Sequence, residues 1–216
     1  MTTDVRPGLT PERVSMFTDA IFAIAITLLA LELPRPTEEQ FAELGPYLSH
    51  HSGAFLAFVL AFLMLWFTWR AHHTLFDQLR SMSQTMLGLH VPLLLFAAFL
   101  PYATGMWGEV TGAEHVAEGA KSVALAMFSG TEAMLMLCQG ALYSAALKQN
   151  LVTPEANVNR MRTSAWVNWG IGVLWLAAAV LAFPLVGATT YLWLATPVVT
   201  YGIVFFRRRH VAARTV

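Results

Sequence analysis

Six long segments of this chain carry almost no charged side chains and are rich in aliphatic and aromatic residues. About 20 consecutive apolar residues are enough for a helix to cross the hydrocarbon core of a bilayer. Of the 216 residues, 12% are charged and 56% are hydrophobic, whereas soluble domains carry about 25% charged residues. The sequence therefore predicts an all-α, polytopic membrane protein. We expect a single transmembrane domain over residues 1–216, with helices near residues 11–33, 52–76, 86–107, 121–147, 164–183 and 189–206.

The basic residues fall on one side of the membrane when both termini are placed in the cytoplasm. Only Arg35 and Lys121 then lie on the outer side. The cytoplasmic side holds the other basic residues, which are Arg6, Arg13, Arg70, Arg80, Lys148, Arg160, Arg162, Arg207, Arg208, Arg209 and Arg214. An excess of positive charge in cytoplasmic loops is the usual determinant of orientation. We therefore expect a multi-pass protein of the cell membrane with both termini in the cytoplasm.

The outer loops are acidic instead. They contain Glu32, Glu38, Glu39, Glu43, Glu109, Glu114 and Glu118. An acidic vestibule would concentrate cations at an outer mouth, whereas ordinary solvated loops would carry the same composition without any such role. Both interpretations are open at this stage. The formal net charge of the chain is zero, so nothing indicates a nucleic-acid partner.

Several classes of protein are excluded or disfavoured by the residues present. The single Cys138 lies in an apolar run, so neither a disulfide framework nor a thiolate metal site is available. His72 and His73 are adjacent and therefore point to different helix faces, with no third ligand at helical spacing. No convergent set of nucleophile, base or metal ligands is found elsewhere. We expect neither an enzyme nor a resident metal or cofactor.

The first predicted helix has an unusual distribution of charge. Pro11 fits the first helical position and Pro34 stops the helix. Residues 13–33 span about 31 Å at helical rise, which is long enough to cross a bilayer. However, Asp19 and Glu32 place a carboxyl group inside each end of the span. A helix facing lipid avoids such charges, whereas a helix that lines water or is buried among other helices tolerates them.

Helical spacing gives this helix two distinct faces. Ile24, Leu28 and Leu31 form a bulky apolar stripe, with Thr27 beside it. A second stripe is richer in small residues and consists of Asp19, Ala23, Ile26 and Ala30. Small residues allow close approach of helices, so the second stripe is predicted to pack against neighbours. The bulky stripe is compatible with packing, with lipid contact or with the wall of a pore.

Asp19 needs a partner if it lies within the membrane. Arg13 is almost two turns away, whereas Trp69, His72 and His73 lie at the cytoplasmic end of the second helix and offer donors on the same side. One interpretation is a structural hydrogen-bond cluster. The other is a histidine pH sensor or a proton relay.

Glu132 is the other acidic residue inside a predicted span. A charge at that depth is costly and marks a functional site by default. The alternative is a structural carboxyl group hydrogen-bonded to nearby Ser or Thr side chains. The role of Glu132 is open on the sequence alone.

The first helix resembles the signature of a known family. Arg13-x-x-x-Phe17-Thr18-Asp19, followed by the run Ala20–Leu29, is similar to the signature of the transmembrane protein 175 family, whose members are endosomal and lysosomal potassium channels and their bacterial relatives. The family motif has serine where this chain has Thr18, a change that keeps the hydroxyl group and adds a methyl group. The run Trp69-x-x-His72-His73-x-x-Phe76 also resembles the second helix of that family.

The resemblance implies six-helix subunits assembled as a homotetramer around a central pore lined by the first helix. By motif position, Ile24 falls on the narrow ring, and Leu28 and Leu31 fall on further apolar pore positions. Thr27 supplies a hydroxyl group near the constriction. The resemblance places the motif residues in a packing network at the cytoplasmic end, which comprises Arg13, Phe17, Thr18, Asp19, Trp69, His72 and His73.

A function follows from this resemblance as an expectation. The chain is predicted to be a potassium-permeable cation channel in the lipid bilayer, with a hydrophobic gate and modest selectivity for K⁺ over Na⁺. The alternative is a secondary transporter, or a proton-permeable or proton-coupled membrane protein that uses the region of Asp19, His72 and His73.

Overall fold

The computed structural model describes residues 10–112 and 116–212, and it is helical through most of that length. Arg6, Glu114 and Arg214 lie outside the described residues. The described helices are α1 (Pro11–Leu29), α2 (Leu44–His50), α3 (Ser52–Phe76), α4 (Gln84–Gly112), α5 (Glu118–Lys148), α6 (Val158–Leu181), α7 (Val186–Trp193) and α8 (Thr196–Ala212).

Six helical segments are long and apolar enough to cross a membrane. They are Pro11–Glu32, Ser52–Phe76, Gln84–Thr111, Glu118–Lys148, Val158–Leu181 and Thr189–Arg209. The prediction of an all-α protein with six spans is confirmed. The first segment continues past α1 as a short 3-10 turn, Ala30–Glu32, so the span itself is continuous.

Three of the spans differ most from the sequence-based prediction. α4 is longer at both ends and continues as helix through Pro92 and Pro101. α6 begins at Val158, because the side chain of Asn157 accepts a hydrogen bond from the backbone N–H of Arg160 at 3.0 Å and caps the helix. The sixth predicted span is divided into α7 and α8, and Pro197 fits the first turn of the new helix, where no backbone donor is needed.

The acidic segment between the first two spans also contains structure that hydrophobic periodicity does not indicate. A 3-10 turn at Glu39–Glu43 leads into α2, which ends just before α3 begins. Tyr47 is buried, and the backbone carbonyl of Tyr47 lies 2.9 Å from Nδ1 of His51. His51 therefore has a local structural role at this junction.

The spans pack in an order that leaves α1 at one edge of the subunit and α8 at the other. α1 packs on α3 and α4, α4 packs on α5, α5 packs on α6, and α8 packs on α6. α5 and α6 approach closely at two glycines. A Cβ atom at Gly140 would meet the Trp169 ring at 3.1 Å, and a Cβ atom at Gly172 would meet the backbone nitrogen of Leu137 at 3.1 Å.

The loops that follow α3 and α5 are joined by backbone hydrogen bonds. The backbone N–H of Arg80 donates to Leu151 O, and that of Thr153 donates to Gln78 O, both at 2.9 Å. The Arg80 guanidinium also donates to Asn150 O at 2.8 Å. This end of the bundle, where α1 begins and α8 ends, is called the basic end below. The opposite end is the acidic end.

Candidate functional site

α1 buries only one of its faces within the subunit. The buried residues are Thr18, Phe22, Ala25 and Leu29. The predicted bulky stripe lies outside this buried face, where Ile24 is 58% exposed, Leu28 39% and Leu31 61%. These three aliphatic side chains are therefore available for contacts beyond the subunit.

The small-residue stripe is not the face that α1 buries within this chain, so its packing against neighbouring helices stays a prediction. Ala23 and Ala30 are exposed, and Asp19 and Ile26 are only half-buried. The packing face lies further round the helix, where the larger side chains of Phe22 and Leu29 bury more apolar area. Since every face of this helix is largely apolar, spacing alone could not choose between them.

Thr27 lies on the exposed side, next to Ile24. Its hydroxyl donates to the backbone carbonyl of Ile24 at 2.8 Å. The donor is thus used within the helix, while the hydroxyl oxygen remains able to accept a hydrogen bond or to contact a cation.

Asp19 is held by the second span. The indole Nε1 of Trp69 donates to Oδ1 of Asp19 at 2.9 Å. Of the donors that the sequence offers, Trp69 is the one that the structure pairs with this carboxylate. His73 stacks on the Trp69 ring at 5.6 Å between centroids, and His73 Nε2 lies 4.0 Å from Asp77 Oδ1.

His72 is not a partner of Asp19, contrary to one of the options drawn from the sequence. Its Nε2 lies 3.0 Å from Nε2 of His90 on α4. Nδ1 of His90 lies 2.6 Å from the carbonyl oxygen of Met86 and must donate to it, so Nε2 of a neutral His90 accepts and Nε2 of His72 donates. Nδ1 of His72 is then a buried acceptor without a partner among the described residues.

Sequence reasoning missed His90. The available signal was its position near the start of the third span, at the same end of the bundle as His72 and four residues after Met86. Two histidines on consecutive spans at the same depth can meet, but the sequence does not say which faces are turned toward each other.

The remaining motif residues are divided between the subunit core and its surface. Thr18 is fully buried, and its hydroxyl has no hydrogen-bond partner within the described chain. Arg13 is exposed, and Phe17 is 61% exposed. The subunit alone therefore brings Thr18, Asp19 and Trp69 toward the core and leaves Arg13 and Phe17 outside it.

Glu132 is fully buried in α5, and both of its carboxyl oxygens lack a hydrogen-bond partner in the described part of the chain. The expected bond to a nearby hydroxyl is absent there. Thr131 donates to Met127 O at 2.8 Å, and Ser129 accepts from the Trp193 indole at 3.2 Å. Both hydroxyl groups are therefore hydrogen-bonded to residues other than Glu132.

The acidic end keeps its carboxylates in solvent. The side chains of Glu32, Glu38, Glu39, Glu43, Glu109 and Glu118 are exposed. Across residues 10–112 and 116–212, no three His, Cys, Asp or Glu residues gather closely enough to hold a metal ion.

Fold and site together define a polytopic six-helix membrane protein in which the first span keeps an aliphatic face exposed at the surface of the chain. Residues 13–101 match the family described as the endosomal/lysosomal potassium channel TMEM175. The chain is thus similar to the TMEM175 family over that stretch, which is less than half of its length. The family is one of ion channels, which is not an enzyme class.

Two similar proteins illustrate the range of this family. A protein named a potassium channel from Chryseobacterium sp. (strain P1-3) is 32% identical over 110 residues, which are 51% of this chain and 53% of that protein. The mouse protein named endosomal/lysosomal proton channel TMEM175 is 35% identical over 108 residues, which are 46% of this chain and 22% of the mouse protein. The match thus spans about half the length of the Chryseobacterium relative and less of the mouse protein.

The fold has a solved counterpart. The crystal structure of a lysosomal potassium-selective channel TMEM175 homolog from Chamaesiphon minutus matches this chain with a TM-score of 0.63 and 25% sequence identity. The match covers 92% of this chain and 97% of that one. The six-span architecture is therefore shared along almost the whole length of both proteins.

Proposed function

We propose that this chain is the subunit of a potassium-permeable cation channel in the plasma membrane, with four copies around a central pore and both termini in the cytoplasm. The Chryseobacterium relative is named a potassium channel and the Chamaesiphon protein is described as potassium-selective, and both support potassium as the permeant ion. The concentration of Lys and Arg at the basic end supports the orientation. The proposed channel domain comprises the whole chain, residues 1–216.

The exposed aliphatic face of α1 carries the proposal. A free apolar face on an edge helix contacts lipid, a second copy or a pore. Asp19 and Glu32 lie near the two ends of this span, and a lipid-facing helix avoids charge at such positions. Placing α1 of each copy next to a common axis turns the Ile24 face inward and gives Glu32 access to water, while Asp19 keeps its partner Trp69 on α3.

Four Ile24 side chains would then form the narrowest ring, with Leu28 and Leu31 forming further rings on successive turns. A narrow collar of branched aliphatic side chains excludes water, and it blocks ions because they cannot enter without their hydration. A slightly wider collar passes a partly hydrated cation. No backbone carbonyls replace the hydration shell in a continuous helix. Selectivity for K⁺ over Na⁺ would therefore come from the lower dehydration cost of K⁺ and would be modest.

Other residues would support conduction at the two ends of this pathway. Thr27 offers a hydroxyl oxygen beside the ring. The exposed carboxylates at the acidic end would raise the local concentration of cations at the outer mouth. Arg13 and Phe17, which the subunit leaves exposed, would complete the packing network through contacts with a neighbouring copy.

A secondary transporter or proton-coupled protein is the less favoured alternative, because the similar proteins are named as channels and the first span is continuous. Proton permeation through a channel is the second candidate, because the mouse relative is named a proton channel. Separate potassium and proton flux measurements on the same liposomes distinguish the two permeant ions.

Cysteine cross-linking tests the position of α1 directly. In a Cys138→Ser background, Ile24→Cys should form intersubunit cross-links, because four copies would meet at the axis. Val173→Cys is the matched control, because Val173 is 59% exposed on α6, a helix outside the α1 packing group. Absence of cross-links at Ile24 in a protein that still assembles would contradict a pore lined by α1.

A further inference from the structure

A groove runs along the side of the subunit away from α1, where α6 packs between α5 and α8. One cavity of about 670 Å³ lies between the end of α5 and the start of α6, and it includes Ser144, Lys148, Arg162 and Trp169 in its lining. A second cavity of about 410 Å³ lies between α6 and α8. Trp166 lines both cavities, so they lie next to each other, and together they are called the groove. Each volume is within the range of small-molecule sites, which is about 300–1,000 Å³.

The cations of the groove lie at its mouth. Lys148 is at the end of α5, Arg162 is near the start of α6, and Arg207 is near the end of α8, so all three lie at the basic end of the bundle. Within residues 10–112 and 116–212, no carboxylate pairs with any of them. Nε of Arg207 is buried and has no hydrogen-bond partner in the same described range. A buried guanidinium N–H needs a hydrogen-bond acceptor, and the described residues supply none for this one.

Below the cations, the lining becomes aromatic and then aliphatic. Trp166 and Trp169 lie one and two turns deeper than Arg162, at positions where indoles favour the membrane interface. The Trp169 indole N–H donates to the Ser144 hydroxyl at 3.1 Å and so is already satisfied, whereas Trp166 is 58% exposed to the groove and its surroundings.

The deepest part of the lining is purely apolar. On α8, Ile203 and Val199 lie four and eight residues before Arg207, which places them about 6 Å and 12 Å further into the membrane at helical rise. The groove thus changes from cationic to aromatic to aliphatic along a path that runs from the membrane surface inward. A phospholipid has the same order of chemistry, with a phosphate group, a glycerol backbone and an acyl chain.

We propose that this groove binds an anionic phospholipid from the leaflet at the basic end, with the phosphate between Lys148, Arg162 and Arg207 and one acyl chain along Val199 and Ile203. Clusters of Lys and Arg at a membrane surface attract anionic lipid headgroups. A free phosphate ion would use only the cations and would leave the apolar slot unfilled. The site is independent of the identity of the permeant ion.

Native mass spectrometry of the purified full-length protein tests this proposal. The protein is mixed with phosphatidylglycerol or with phosphatidylcholine of the same acyl chains. We expect phosphatidylglycerol to be retained in preference. Each cation contributes about a fivefold preference for an anionic lipid, so the double variant Arg162→Gln/Arg207→Gln should lower retention of phosphatidylglycerol about thirtyfold.

The matched control is Arg160→Gln/Arg208→Gln. It removes the same charge from the same two helices at residues that do not line the groove. It should retain phosphatidylglycerol as the unmodified protein does. Lys148→Gln, at an exposed helix end, should cause about a fivefold loss and provides the test if the double variant does not fold. Arg162→Lys/Arg207→Lys should restore most of the retention, because the charges are kept.

Four results would overturn the proposal. Equal losses in the groove pair and the control pair would indicate diffuse electrostatic attraction. Equal retention of the two lipids would exclude headgroup recognition. Complete displacement of the lipid by millimolar inorganic phosphate would indicate a site for a free anion. A changed number of subunits with unchanged lipid retention would identify the groove as an interface between copies.

Discussion

The indole Nε1 of Trp69 donates a 2.9 Å hydrogen bond to Oδ1 of Asp19 and joins the first span to the second. The two residues are 50 positions apart in the chain, so this bond fixes how α1 meets α3 near the basic end. It also provides Asp19, the acidic residue of the motif, with a donor inside the same chain. The orientation of the Ile24 face depends on the packing that this bond helps to hold.

Removal of the indole donor should weaken this junction. Trp69→Phe keeps an aromatic ring but removes the N–H group, and a hydrogen bond to a charged group contributes about 1.5–3 kcal/mol. The expected result is a lower thermal unfolding temperature in detergent. Trp166→Phe is the matched control, because Trp166 is 58% exposed on α6, a helix that does not pack on α1. Equal stability of the two variants would exclude a structural role for the Trp69 bond.

Loss of the Asp19 carboxylate should affect assembly before it affects permeation. Asp19→Ala leaves the Trp69 indole without its acceptor in a half-buried position. We expect fewer intact oligomers on size-exclusion chromatography, with unchanged ion selectivity in the oligomers that remain. Normal assembly combined with altered selectivity would instead place Asp19 in the permeation pathway.

A polar side chain at the proposed constriction should increase conduction. Ile24→Asn would let water remain in the collar, and a barrier lowered by about 1.4 kcal/mol raises flux about tenfold. Potassium flux into liposomes should rise, and the preference for K⁺ over Na⁺ should fall. Val173→Asn is the matched control on an exposed face of α6. Unchanged flux in an assembled Ile24→Asn protein would contradict the hydrophobic collar.

Replacing His72 and His90 together should cost less stability than the sum of the two single replacements. His90→Leu leaves both ring nitrogens of His72 buried without a partner, at a cost of about 1–3 kcal/mol. His72→Phe/His90→Leu replaces both members of the pair with apolar groups and should recover much of that loss. Thermal unfolding of the single and double variants gives the coupling energy. Strictly additive losses would show that the two rings do not act as a pair.

The buried carboxyl group of Glu132 has no hydrogen-bond partner among the described residues, and this predicts how its replacement changes thermal stability. A buried carboxyl group with no partner is costly because it must either carry an uncompensated charge or remain protonated, and Gln has a closely similar shape without a charge. Glu132→Gln should therefore preserve or raise thermal stability, whereas Glu132→Ala should lower it by leaving a cavity. A change of ion flux in a stable Glu132→Gln protein would assign a functional role to this carboxyl group.

The length and composition of the apolar segments were sufficient to predict the all-α fold and its six spans. The reason is physical: a bilayer leaves backbone polar groups no partner but the helix itself, so a long apolar segment has few alternatives. The same sequence also showed which residues of α1 share a face, because Ile24, Leu28 and Leu31 recur at helical spacing. The family resemblance rested on the same helix, through Arg13 to Asp19 and the run that follows.

The sequence could not choose the face that α1 turns toward its own subunit, because all sides of an apolar span are nearly equivalent in hydrophobicity. Only the tertiary structure decided that Phe22 and Leu29 pack inward while Ala23 and Ile24 remain exposed. The pairing of Trp69 with Asp19, and of His72 with His90, was decided in the same way. These bonds depend on the rotation and depth of each helix against its neighbours. Rotation and depth are set by side-chain packing between segments far apart in the chain, and no single segment encodes them.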